Sequence, residues 1–79
     1  MRVRKGYRGR ILDVQVIPLR DMGYTAHFSI EDHHGFEVVD TYFETGQRFA
    51  TEDKALQAAL WWGANKIETG YDPNFRGQL

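Results

Sequence analysis

The sequence predicts an α+β domain in which a three-stranded antiparallel meander packs on one C-terminal helix, in β-β-β-α order. Three observations carry this expectation: alternating apolar runs before residue 50, polar connections that end in glycine between them, and one well-capped stretch of helical periodicity after Thr51. The chain has 79 residues, enough for a single domain that buries only about 60–65% of its unfolded surface, so modest stability is expected.

Residues 1–9 read as a basic arm. Arg2, Arg4, Lys5, Arg8 and Arg10 all precede the first acid, Asp13, which leaves an arm of about +5 ahead of a body near −6. Such an arm can touch nucleic-acid phosphate, fold back on its own acidic body or stand in solvent, and the last two are the preferred readings.

The strands are expected over Arg10 to Pro18, Tyr24 to Asp32 and Phe36 to Phe43. In the first, Leu12, Val14 and Val16 share a face opposite Asp13 and Gln15. In the second, Tyr24, Ala26, Phe28 and Ile30 oppose Thr25, His27, Ser29 and Glu31. Arg20-Asp21-Met22-Gly23 and Asp32-His33-His34-Gly35 look like three-residue hairpin loops with glycine in the left-handed position. That loop length pairs Arg20 with Tyr24 and Asp32 with Phe36, so Val16 faces Phe28, and Ile30 lies between Val14 and Val38. Carried onward, it sets Asp40 opposite Phe28 in the core, where an unpaired carboxylate is costly. A bulge near Val39 and Asp40, turning Asp40 outward and Thr41 and Phe43 inward, is the expected remedy.

The helix is expected from about Glu52 to Thr69. Thr51 suits the N-cap, Glu52 and Asp53 the positive end of the dipole, Lys66 the negative end, and Gly70 the stop. At about 100° per residue, Leu56, Ala59, Leu60, Gly63 and Ile67 form one stripe, with Trp62 at its margin and Trp61 roughly 140° from Leu56. Adjacent tryptophans cannot both face one core, so Trp61 needs a second cover. The candidates are a second molecule or a clasp formed by the tail from Tyr71 to Leu79, in which Asp72-Pro73-Asn74 signals a turn before Phe75.

Chemistry-bearing constellations are sparse. There is no cysteine, hence no disulfide and no thiolate site, which with the lack of a signal-length or membrane-length apolar run leads to an expected cytoplasmic location without a membrane partner. His33 and His34 beside Asp32 are adjacent turn residues that seldom aim at one ion, so no metal and no cofactor is expected. His27, Asp13, Asp40, Thr41 and Ser29 could share the outer sheet face. No carboxylate lies opposite His27 to fix its tautomer, however, so a small enzyme using His27 and Asp40 is only an alternative. Ile11, Ile17, His27, Thr41 and Val39 would give that outer face apolar content worth covering.

Tyr7-Arg8-Gly9, the two hairpins, and Phe49-x-Thr51-x-x-x-Ala55-Leu56 opening an alanine-rich helix resemble the small proteobacterial β-β-β-α proteins classed as a domain of unknown function. The resemblance implies a fold and carries no reaction, ligand or catalytic residue. The element order also resembles the three strands and last helix of a double-stranded-RNA-binding domain. That family presents lysines where this chain has Thr51, Glu52 and Asp53, which would repel phosphate. The sequence therefore points first to a non-catalytic interaction module, acting on a protein partner or as a homodimer through Trp61, Ile17, His27 and Thr41. Weak nucleic-acid binding through Arg2, Arg4, Lys5, Arg8 and Arg10 is the second reading.

Overall fold

A computed structural model describes residues 1–73 and 76–79. Among these the chain forms β1 (Arg2–Tyr7), β2 (Arg10–Pro18), β3 (Tyr24–His34), β4 (Glu37–Glu44), α1 (Glu52–Thr69) and β5 (Arg76–Gln78). The sheet has five strands in the order β1-β2-β3-β4-β5, where the sequence predicted three. Neighbours are antiparallel except β4 and β5, which are parallel. The parallel pair follows from α1, because a helix that carries the chain back along the sheet lets the next strand run the same way as the one before it.

The expected basic arm is strand β1. Arg8 and Gly9 form a two-residue loop between the paired residues Tyr7 and Arg10, and both have positive φ, 49° and 78°. That is the type I′ geometry whose twist suits a hairpin. Val3, Lys5 and Tyr7 lie on the helix side of the sheet, while Arg2 and Arg4 lie on the outer side opposite Gln15 and Asp13.

Both predicted hairpin registers are corrected. The β2–β3 loop spans Leu19 to Gly23, so Pro18 pairs with Tyr24, Val16 with Ala26 and Val14 with Phe28. This is a slip of two residues, which keeps every side chain on its expected face. The β3–β4 loop is only Gly35 and Phe36, with His34 paired to Glu37 and Gly35 at φ 64°. The odd slip of three reverses β4, bringing Thr41 opposite Ile30 and Phe43 opposite Phe28, and setting Asp40 outward opposite Glu31. Asp40 thus leaves the core and Thr41 and Phe43 enter it as expected, by register and without the bulge.

Leu12, Val14, Val16, Ala26, Phe28, Ile30, Phe43, Ala55 and Ala59 make the core. Thr51 caps α1, its Oγ1 accepting from the Lys54 N–H at 3.1 Å, and the Gly70 N–H donates to the Lys66 carbonyl at 2.8 Å. The buried line of the helix is Ala55, Ala59 and Gly63, with Leu56, Leu60, Trp62 and Ile67 half-buried around it. Small residues on that line let the helix sit close to the sheet. A Cβ placed on Gly63 would stand 2.4 Å from Leu12 Cδ1. Gly63→Ala therefore sets a helix-propensity gain of about 1 kcal/mol against an overpacking loss of about 1–3 kcal/mol. A net destabilisation of roughly 1 kcal/mol is expected in denaturant titration, and it should shrink when Leu12→Val removes the two Cδ methyls that crowd the added Cβ. A loss that persists undiminished in the Leu12→Val background would place the cost elsewhere.

Candidate interaction surface

Three places bring functional side chains together: the outer sheet face, a hollow at the C-terminal end of the helix, and the outward side of the helix.

On the outer face the basic residues of β1 meet acids of β2 and β3. Arg2 holds Asp13 through Nε at 3.0 Å and Nη2 at 2.6 Å, and Arg4 Nη1 bridges Asp13 at 2.8 Å and Glu31 at 2.6 Å. The Arg2 hydrogen bond holds the Asp13 carboxyl below its ordinary range, and the Arg4 hydrogen bond does the same for Glu31. His33 Nε2 lies 3.3 Å from Glu31. Arg8 pairs with Glu68 at 2.6 Å. Among the described residues only Lys5, of the five basic side chains, has no acidic partner.

His27 is on this face between Gln15 and Glu44, so the corrected register sets a carboxylate opposite it where none was expected; Glu44 Oε1 accepts from the Tyr42 hydroxyl at 3.1 Å, and the His27 ring lies 5.2 Å from that of Tyr42. Asp40 is level with Glu31, four residues further along β3, so His27 and Asp40 are separated by about 13 Å along the strands. They do not form an acid/base pair in reach of one substrate atom. Ile17 is exposed near one end of the face. Thr41 does not belong to it. The reversed register buries Thr41 among core residues, where Oγ1 donates to the Pro73 carbonyl at 3.1 Å, and Val39 likewise sits on the inner side opposite Asp32.

Sequence reasoning missed the second place. Arg10, Asp32, His34, Val39, Ile67 and Tyr71 surround a hollow of about 340 Å³. Asp32 is 8% exposed; Arg10 Nε donates to one carboxylate oxygen and the Tyr71 hydroxyl to the other, each at 2.5 Å. Burial alone would push the Asp32 carboxyl up, but these two donors outweigh it and leave it below its ordinary value. Tyr71 is pushed up to about 12, by burial and then by the adjacent carboxylate. The signal was present as parity: Arg10 continues the Leu12, Val14 face and Asp32 continues the Phe28, Ile30 face, so the two meet one step beyond the pair Ile11 and Glu31. With both oxygens occupied, the cluster acts as an anchor for the segment that follows the helix. Among the described residues no group of His, Cys, Asp or Glu is arranged to hold a metal ion.

The third place is the helix. Trp62 packs at the margin of the core, as its position in the stripe predicts, and Trp61 stands edge-on to it with ring centroids 5.0 Å apart. Trp61 is 60% exposed. Among the described residues the tail does not form the clasp over it. Tyr71 turns under the helix to meet Phe43 edge-on at 6.2 Å, and β5 pairs with β4; Phe75 lies outside the described residues. Around Trp61 the outward face carries Lys54, Gln57, Ala58, Ala64, Asn65 and Glu68.

No family model, curated protein or solved structure matches this chain. The likeness to the small β-β-β-α proteins and to the RNA-binding domain is therefore one of short motifs and element order, and the five-stranded mixed sheet departs from both three-strand patterns. Among the described residues no helix is long and apolar enough to cross a membrane.

Proposed function

We propose that this chain is a non-catalytic interaction module that self-associates through the outward face of α1. The carrying observation is Trp61, a large aromatic left 60% exposed at the middle of the helix, while Tyr71 meets Phe43 and residues 76–78 pair with β4. Large exposed aromatics are the side chains that supply most binding energy when a partner desolvates them. The outer sheet face is the weaker candidate, because its charged groups satisfy one another and its exposed apolar residues are scattered. Nucleic-acid binding is disfavoured for the same reason: Arg2, Arg4, Arg8 and Arg10 already hold acids, so phosphate would have to displace them. A cytoplasmic setting, which suits a cysteine-free domain, is part of the same proposal.

Trp61→Ala should cost less than about 0.5 kcal/mol of folding stability, as expected of a surface position, while abolishing association seen by sedimentation. In the wild type, tryptophan emission should shift to the blue as concentration rises through the dissociation constant. A wild-type chain that stays monomeric at millimolar concentration, with Trp61 freely quenched by a small solute, would overturn the proposal.

A further inference from the structure

Resting on that reading, we infer that the partner is a second copy whose helix crosses α1 antiparallel, with the two-fold axis passing beside Trp61. The argument is the distribution of side chains about this residue. Trp61 lies at the middle of the helix Glu52–Thr69. Three residues to either side are Ala58 and Ala64; four to either side, Gln57 and Asn65; seven to either side, Lys54 and Glu68. Steps of three, four and seven all stay within about 60° of Trp61 on a helix, so these residues share its face.

An antiparallel two-fold pairing centred on residue 61 places each position opposite its mirror in the partner. Alanine then meets alanine, which gives two indole rings room to stack with an offset. The side-chain amide of Gln57 meets that of Asn65. Lys54, which has no ion pair among the described residues, meets Glu68. Glu68 already receives the Tyr7 hydroxyl and Arg8 on the same oxygen, Oε1, which leaves Oε2 for the incoming ammonium. Arg8, with its side chain 67% exposed, stands at the end where the partner's acidic first turn would arrive. That turn includes Asp53. A parallel pairing would instead set Lys54 against Lys54 and Glu68 against Glu68. Antiparallel packing also opposes the helix dipoles.

The test is a charge-reversal exchange followed by sedimentation. Lys54→Glu alone and Glu68→Lys alone should each weaken self-association about tenfold or more, because each turns both end pairs repulsive. The double variant Lys54→Glu/Glu68→Lys should recover it. An equimolar mixture of the two single variants should associate as tightly as wild type, since every end pair in the mixed dimer is again of opposite sign. Glu68→Lys also loses the Tyr7 and Arg8 contacts, so a second measurement leaves Glu68 untouched. In this cysteine-free chain, Gln57→Cys mixed with Asn65→Cys should form a mixed disulfide on mild oxidation, in preference to either like pair. Recovery on mixing and the mixed disulfide support the antiparallel register. If Trp61→Ala dissociates the protein but neither exchange shows pairing, the register is overturned while the helix-face reading stands. If the wild type never associates, both fall.

Discussion

Replacing Phe28 with alanine should remove about 3–5 kcal/mol of folding stability, the range for a fully enclosed aromatic. Phe28 is 0% exposed on the central strand, between Val14 and Phe43, and its ring stacks on that of Phe43 at 5.1 Å with 21° between planes. It lies where both hairpins and the helix converge, so little can collapse into the space it leaves. A domain of this size has about 4–12 kcal/mol in all, and the variant should therefore sit close to unfolding at room temperature. Urea titration would measure this as a large fall in midpoint with an unchanged slope. A loss below 1 kcal/mol would mean that Phe28 is not at the centre of the core.

Asp32→Asn is expected to cost about 1.5–3 kcal/mol at pH 7, the range for hydrogen bonds to a charged group. The lower part of that range is favoured because Arg10, with its side chain 38% exposed, keeps its own water. The pH dependence separates this from a packing defect. The Asp32 carboxyl lies below its ordinary value, so its contribution is fully present above the unfolded value near pH 4 and is lost as pH falls through the lower folded one. Tyr71 is pushed up to about 12, so its contribution is present below about pH 10 and is lost as pH climbs toward 12. Between those limits the cluster should contribute a constant amount. The gap between wild type and Asp32→Asn should thus shrink at both ends of a stability profile measured from pH 2 to 11. A gap that stays constant down to pH 2 would show that Asp32 is not held as a carboxylate.

The parts of this fold governed by local chemistry were legible in the sequence. The bounds of α1 follow from Thr51 and Gly70, and those of β2 from strict alternation ended by Pro18. The registers were not legible, because glycine-bearing loops of two, three and five residues look alike, and only long-range matches such as Val14 to Phe28 in one hairpin and Phe43 to Phe28 in the other distinguish them. The even slip in the first hairpin left its faces correct; the odd slip in the second, in place of the expected bulge, put Thr41 and Phe43 inward and so removed Thr41 from the outer-face surface. Strand β1 was hidden by its charge. Val3, Lys5 and Tyr7 alternate, but five cations read as a solvated arm until Asp13 and Glu31 are seen beside them. β5 is three residues long, and its pairing depends on where the helix delivers the chain. The exposure of Trp61 was half legible: helical phase turned it away from the core, while the course of the described tail residues away from it depends on the anchor that Asp32, Arg10 and Tyr71 form.

The parallel β4–β5 pair makes this sheet vulnerable during synthesis. β1 to β4 and α1 can all be in place while residues 76–78 are still emerging, and until then the backbone of Tyr42, Phe43 and Glu44 has no neighbour on that side. The opposite border is guarded from the start by Arg2, Arg4 and Lys5, whose charges discourage strand addition from another chain. A nascent chain therefore has one protected flank and one sticky flank, and aggregation during expression should respond to changes in β5 more than to changes in β1.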